Sequence, residues 1–385
     1  MQNIDNSNSK HVFVCGLGRS GTSVLARNVA RLENCTGFRN TGVLEDEGQF
    51  LQDVYPSDNV YGGAGKFGFD PRAHLTETSR LLTPENALKL RQSWERHWDR
   101  SKAIRVEKTP GHLLKTRFLQ AAFPNSYFVV IRRHPVPVSM ANNQRWKVTF
   151  APLHNLFDHW LHCYGLFEED KKYLEHVYEL TYEDYIQNPD KYHEEIAAFL
   201  GTRVPAPPSE DRFRTVTQWR NPLGLRVPEG AMEAVTGAHN QKYFNRWFDL
   251  LNKSLFNRYY RYIAVKYEPQ FAKYGYTLTE GFSVKEEHLR EVEKVSATVG
   301  TLYCLGVDTC ALVVRLLARS KWYIRRQLRA HLPERLKIRI KRVLQRMSLI
   351  KGRTEDRVQR TEVSLRPVGP TLPREDRSQR TRGRN

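Results

Sequence analysis

The apolar run His11-Val12-Phe13-Val14-Cys15 passes directly into Gly16-Leu17-Gly18-Arg19-Ser20-Gly21-Thr22-Ser23, and few folds accommodate that junction. A short apolar run bounded by glycine reads as a buried parallel strand, and Ser20 to Leu32 reads as the helix that follows. Gly16 and Gly21 let the backbone curl around an anion, with amide N–H groups and the positive helix end pointing at it. The spacing is that of a phosphate-binding loop, but Thr22 stands where the nucleotide-hydrolysing versions carry lysine. The cation here is Arg19. A ligand-free turn would use the same glycines; the embedded arginine and the Thr22-Ser23 pair argue for a phosphate, held in other than the ordinary ATP or GTP manner.

Charge divides the chain sharply. The 385 residues carry a formal net charge of +19, yet residues 1–314 hold 39 Lys/Arg against 36 Asp/Glu. From Arg315 to the end there are 22 Lys/Arg against 6 Asp/Glu. The near-neutral part is long enough for one large α/β domain, and the basicity belongs to a tail. That distribution excludes a nucleic-acid-binding surface spread over the domain. Five scattered cysteines (15, 35, 163, 304 and 310) form no C-x-x-C pair, which argues against a disulfide framework or a zinc site. Met1 to Lys10 is polar, without an apolar signal core, so the expected location is cytoplasmic, peripheral at the inner membrane surface if the tail meets lipid.

Strands are expected at 11–15, 103–106, 126–131 and 177–181. Helices are expected near 20–32, 84–99, 111–122, 135–145, 152–174 and 189–200. This alternation predicts a parallel sheet covered on both faces, a three-layer α/β fold. Asn188-Pro189 should open the last of these helices and Gly201 close it. Residues 202–230 carry five prolines and read as an irregular loop over the site, followed by aromatic-rich helices from about 240 to 274. Ala297 to Ala318 is the one long apolar stretch; Asp308 and Arg315 interrupt it, so a packed or re-entrant helix is expected rather than a membrane span. Leu336, Ile340, Val343, Leu344 and Met347 recur at helical spacing among arginines and lysines. That stripe suits either packing on the domain or an amphipathic helix on anionic lipid. The composition from Thr354 onward is that of a disordered tail.

A second anion site is expected at the end of the strand Tyr127–Ile131. There a nucleotide hydrolase would place a magnesium-binding aspartate, but this chain has Arg132-Arg133-His134-Pro135. Arginines suit a phosphate and not a metal. Ser139 and Asn142 follow on the next helix and can add a hydroxyl and an amide. Two phosphate sites without a magnesium site suit a nucleotide phosphorylated at both ends of its ribose.

At this point the chain resembles a known family. Gly18 to Ser23, Glu107-Lys108-Thr109-Pro110, Arg133-His134-Pro135 with Gln144-Arg145-Trp146, and Leu180-Thr181-Tyr182-Glu183-Asp184 are similar to sulfotransferase motifs. So are Phe199-Leu200-Gly201 and the stretch from Asn240 through Trp247 to Tyr274-Gly275-Tyr276. The resemblance runs in order over about 11–280 and is nearest the bacterial-type and tyrosylprotein branch. It implies a domain at 11–280 between a flexible N-terminus (1–10) and a basic helical C-terminal extension (281–353), with a disordered tail at 354–385.

The resemblance further implies transfer of a sulfuryl group from 3′-phosphoadenosine-5′-phosphosulfate (PAPS) to a hydroxyl or amine, without a metal. Gly18, Arg19, Ser20, Gly21, Thr22 and Ser23 would hold the 5′-phosphosulfate, Arg133 and Ser139 the 3′-phosphate, and Tyr182 would lie beside the adenine. Ala141 occupies the position where the family commonly has its serine. Arg19 and Lys108 can stabilise charge on the leaving phosphate, and a general base must take the acceptor proton. Leu44-Glu45-Asp46-Glu47 offers three acids, of which Glu47 is favoured; His112 and His134 are alternatives. The proline-rich loop and the aromatics at 61–69 should shape the acceptor pocket, for a glycan or glycolipid hydroxyl, a peptide tyrosine or a small metabolite. Two other readings compete: a divergent nucleotide kinase or NTPase, and a non-catalytic basic membrane-binding protein.

Overall fold

Strand β1 (Lys10–Cys15) lies at the centre of a five-stranded, all-parallel sheet with β2 (Cys35–Gly37), β3 (Ile104–Lys108), β4 (Ser126–Arg132) and β5 (Val177–Thr181), in the order β2-β3-β1-β4-β5. The computed structural model describes residues 9–145, 150–206, 237–279 and 294–331, with short stretches at 219–220, 226–227, 232–233 and 235. Trp146, most of the proline-rich loop, the stripe at 336–347 and the tail from 354 lie outside the described residues.

Alternation along the central strands separates two cores. Phe13, Cys15, Phe128 and Val130 face one side, under α2 (Pro84–Glu95), α3 (Thr116–Ala122), α4 (Pro135–Arg145) and α5 (Leu153–Asp170). Val12, Val14, Val129 and Ile131 face the other, under α1 (Thr22–Val29), α6 (Tyr182–Gln187) and α7 (Pro189–Leu200). Residues 12–15 of β1 and 127–131 of β4 are therefore unbroken apolar runs, as parallel strands buried on both faces allow. Two further helices, α8 (Ala238–Lys253) and α9 (Asn257–Ala272), add their aromatic rows to the first core. The three-layer α/β fold expected from the sequence is the fold observed.

Several boundaries differ from expectation, each for a local reason. β2 has three residues, too few to show a period in the sequence. β3 runs two residues past its expected end, so Glu107 and Lys108 are still on the strand. The helix expected at 111–122 is broken at Lys115, whose ammonium is buried on Asp58 at 3.0 Å. Asn188 makes no side-chain cap; it is wedged between two helices, and its N–H closes α6 on Asp184 O at 3.0 Å. Gly201, at φ 68°, does end α7 as read. Helix α10 (Ala297–His331) is longer than the apolar stretch that announced it. By its contacts the chain divides at Ala318/Arg319, so the first unit extends past residue 280, the limit expected from the resemblance.

Trp94 ties this core to the segment that carries Glu47. It is fully buried, stacks on Phe123 with centroids 5.3 Å apart, and donates its indole N–H to Gly48 O at 3.0 Å. Trp94→Ala is expected to cost about 3–5 kcal/mol, read as a lower denaturant midpoint at unchanged m. Trp94→Phe keeps most of the packing and should cost about 1 kcal/mol for the lost hydrogen bond. A loss below 1 kcal/mol for the alanine variant would contradict the anchoring role.

Candidate active site

The loop after β1 is held in a backbone shape that depends on particular residues. Gly16 sits at φ 150° with its α-carbon so close to Ile131 O that a side chain could not be added. Arg19, at φ 78°, occupies the left-handed region that non-glycine residues avoid, a strain typical of ligand-holding turns. Gly21, at φ 96°, starts α1; a Cβ there would lie 2.6 Å from the Tyr182 ring. Tyr164 fixes the loop to the sheet: its hydroxyl accepts from Leu17 N at 3.4 Å and donates to Ile131 O at 3.2 Å.

Gly21 caps α1 without a side chain, and among the described residues no hydroxyl or carboxylate occupies the first amides of that helix. Those amides and the helix dipole can receive an anion. Thr22 and Ser23, in the first turn, line the same cavity, as do Gly18 and Arg19; Ser20 is fully buried behind the loop. Arg19 is exposed at the rim, and its side chain has no hydrogen-bond or ion-pair partner among the described residues.

Arg133 is 5% exposed and already heavily engaged. Its Nε and Nη2 donate to Asn240 Oδ1 at 2.9 and 2.5 Å, and Nη1 donates to Arg19 O at 2.6 Å. Its guanidinium also stands 4.2 Å from the Tyr182 ring centroid. Burial lowers its pKa, but guanidinium basicity is high enough to leave it charged. Three of its five N–H groups are thus spent on the protein. Ser139, on α4, lines the cavity, and its Oγ is buried without a partner among the described residues. Asn142 donates to Gly18 O at 3.4 Å, and its Oδ1 is likewise unpaired. The unmatched Ser139 hydroxyl beside an uncapped helix can donate to an anion, whereas the unmatched Asn142 Oδ1 can only accept. Ala141, the position where a serine was expected, is buried and apolar.

The three acids at 45–47 separate completely. Glu45, at φ 53°, is exposed and lies 3.8 Å from Arg145. Asp46 accepts from Thr41 N and Thr41 Oγ1 at 2.8 and 2.6 Å and shapes its own turn. Glu47 turns inward, where Lys108 Nζ donates to Oε1 at 3.1 Å and Gln49 Nε2 to Oε2 at 2.7 Å. Burial raises the Glu47 pKa, with Lys108 opposing it. Lys108 is itself buried and faces a small adjoining cavity with Ser23 and Glu45, so it approaches the main cavity through Glu47.

Both histidines are committed elsewhere. His112 is fully buried, with Nδ1 on Glu107 and Nε2 on the Tyr55 hydroxyl, each at 2.8 Å. His134 donates from Nε2 to Thr277 O at 2.9 Å and accepts at Nδ1 from Val136 N at 3.2 Å. Its pKa is lowered to about 4, chiefly by burial. Neither has a free ring nitrogen to take a proton.

Sequence reasoning missed the residues that hold the site in place. Glu107 was quoted only within a motif, yet it is buried and its Oε1 accepts from Gly48 N at 2.9 Å and Thr109 Oγ1 at 2.6 Å. Asn240 and Glu183 orient Arg133 and His134, with Glu183 Oε1 accepting from His134 N and Asn240 Nδ2, both at 3.2 Å. The only signal was their type within apolar surroundings. Opposite the loop, Phe50, Gly65, Phe67, Val138 and Leu156 form the apolar wall of the cavity. Of the aromatics at 61–69, only Phe67 reaches it; Tyr61 and Phe69 line a neighbouring groove.

Solved structures similar to this chain include three sulfotransferase-fold proteins. The sulfotransferase domain of the Synechococcus PCC 7002 olefin synthase is 18% identical over 53% of this chain and 78% of its own, with a TM-score of 0.35. A sulfotransferase from Alicyclobacillus acidocaldarius is 16% identical, covering 62% and 90%, at 0.35. A retinol dehydratase solved with androsterone and the inactive cofactor PAP is 15% identical, covering 64% and 81%, at 0.28. No curated protein matches the chain. The family model described as "Sulfotransferase family" matches residues 11–206, just over half of the chain and the whole span from β1 through α7. The chain belongs to the sulfotransferase family.

Proposed function

We propose that the protein transfers a sulfuryl group from 3′-phosphoadenosine-5′-phosphosulfate to the hydroxyl, or amine, of an acceptor carried on a glycan, a glycolipid or a small metabolite. The observation that carries this reading is the meeting, in one cavity, of an uncapped helix N-terminus, an Arg19 side chain with no partner among the described residues, and the inward-facing Glu47. The donor supplies the sulfuryl group on its 5′-phosphate. The backbone of Gly18 to Ser23, with the Thr22 and Ser23 side chains, holds the 5′ end. The two remaining Arg133 N–H groups and the Ser139 hydroxyl receive the 3′-phosphate, and Tyr182 borders the adenine.

Glu47 accepts the acceptor's proton. Its burial keeps the carboxylate poorly solvated and more basic than an exposed glutamate, which suits it to that role at neutral pH. Lys108 keeps Glu47 anionic and places positive charge near the reacting centre. Arg19 and the α1 amides stabilise charge growing on the leaving phosphate oxygen. Phe50, Phe67 and Leu156 give the acceptor's carbon skeleton a dry wall to rest on. A kinase or NTPase reading is weaker, because Thr22 replaces the loop lysine and β4 ends in Arg132 and Arg133.

Isothermal titration tests the donor directly: adenosine 3′,5′-bisphosphate should bind, ATP with magnesium should not, and EDTA should leave transfer unchanged. Magnesium-dependent activity restored by titration would favour the kinase reading. Arg19→Ala should reduce turnover by about a hundredfold, near 3 kcal/mol, with little change in product affinity. Unchanged turnover would remove Arg19 from the mechanism.

Glu47→Gln should lower kcat by about 10²–10⁴ while adenosine bisphosphate binding persists. The anion of a carboxyl with a raised pKa appears only above that raised value. The acid limb of kcat/KM should therefore lie above the usual carboxylate range and vanish in the glutamine variant. Lys108→Ala removes the partner that opposes the shift, so its acid limb should move to still higher pH. A limb that ignores both substitutions would assign the base elsewhere.

A further inference from the structure

Helix α10 has two faces that its sequence does not distinguish, and among the described residues only one of them is covered. The inner face rests on the first unit. Gly300 meets the Tyr262 ring, Ala311 is 1% exposed, and Tyr303 and Val307 pack on the core. The two charges in the apolar stretch also turn inward. Asp308 accepts from Asn155 Nδ2 at 2.9 Å and lies 3.4 Å from His154 Nε2; Arg315 donates to Phe150 O at 3.1 Å.

The outer face, over 297–318, therefore carries no charge at all. Val299, Leu302, Leu305, Leu312 and Leu316 recur at three- to seven-residue intervals on one side and are 39–60% exposed. The window Ala297–Lys321 is long and apolar enough to span a bilayer, and 11% of it is buried. A helix apolar all round does not present such a face to water without an occupant.

We infer that the outer face of α10 lies in the plane of an anionic membrane surface, with its leucines in the headgroup–acyl boundary. Charge selects this occupant over a second copy of the chain. The sequence from Arg315 to Arg353 holds 14 Lys/Arg and a single acid, Glu334, which would repel an identical copy and is drawn to anionic headgroups. The inward bonds of Asp308 and Arg315 select lying over spanning. A spanning helix would have to leave the domain and carry both charges, unpaired, into hydrocarbon. This inference does not rest on the proposed reaction. It replaces the expectation of a packed or re-entrant helix with one that does both jobs, packing on one face and binding lipid on the other.

Co-sedimentation of the full chain with phosphatidylglycerol-containing vesicles tests it, against pure phosphatidylcholine vesicles and across a salt series. The chain should sediment with the anionic vesicles, less so as salt rises. The triple variant Leu305→Glu, Leu312→Glu, Leu316→Glu places three carboxylates on the outer face and leaves every inner contact in place. It should unfold at the same temperature as the parent and bind on the order of tenfold more weakly. Equal binding by parent and variant would assign the attraction to the basic segment alone and overturn the role of α10. A parent that ignores vesicles but dimerises, with a monomeric variant, would overturn lipid in favour of a second copy. Retention of the parent in vesicles after an alkaline carbonate wash would overturn the in-plane arrangement in favour of a span.

Discussion

Arg133 is the contact on which the arrangement of the site depends. It leaves the end of β4, donates to the strained carbonyl of Arg19 in the loop after β1, grips Asn240 at the start of α8, and lies over Tyr182 at the start of α6. Its own carbonyl accepts from the Trp160 indole of α5 at 3.1 Å. One buried cation thus joins elements far apart in the sequence. A guanidinium taken out of water must find several acceptors, and these acceptors are the ends of the elements themselves. The same side chain that is read as a phosphate ligand is therefore also the brace that gives the loop its shape.

A buried anion plays the matching part on the other side of the loop. Glu107 is flanked on β3 by Lys108, and its two oxygens are filled by Gly48 N, Thr109 Oγ1 and His112 Nδ1. Because it holds Gly48, it sets the direction of Glu47, one residue earlier. Gly48 can have no side chain, since a Cβ there would lie 2.6 Å from Glu107 Oε1. Glu47 and Lys108 meet as a consequence of this packing and not of any local preference. The main cavity that Glu47 lines is polar along the loop and apolar along Phe50, Phe67, Val138 and Leu156.

Helix α10 shows how one sequence pattern can conceal two different faces. Its apolar residues alone would suit a membrane span, and its interruptions alone a packed helix. The resolution lies in where Asp308 and Arg315 point, since both are satisfied by the domain and leave the opposite face free of charge.

The sequence by itself determined the parallel sheet, the glycine-shaped loop after β1, the arginines at the end of β4 and the division of charge. These depend on short-range patterns: apolar runs that fit a strand buried on both faces, glycines at Gly16 and Gly21 where no Cβ fits, and arginine where an acid would bind metal. The family resemblance added the roles of Lys108 and Tyr182. Only the tertiary structure decided that Glu47, and not the exposed Glu45 at the cavity's edge, is the buried acid paired with Lys108, that His112 and His134 have both ring nitrogens occupied, and that Asn240 and Glu183 serve Arg133 and His134. β2 and the face of α10 turned to water were decided in the same way. In each case the cause is a contact between residues dozens to hundreds of positions apart. Hydrogen-bond satisfaction in a buried site is a property of the assembled neighbourhood, and no local period or motif encodes it.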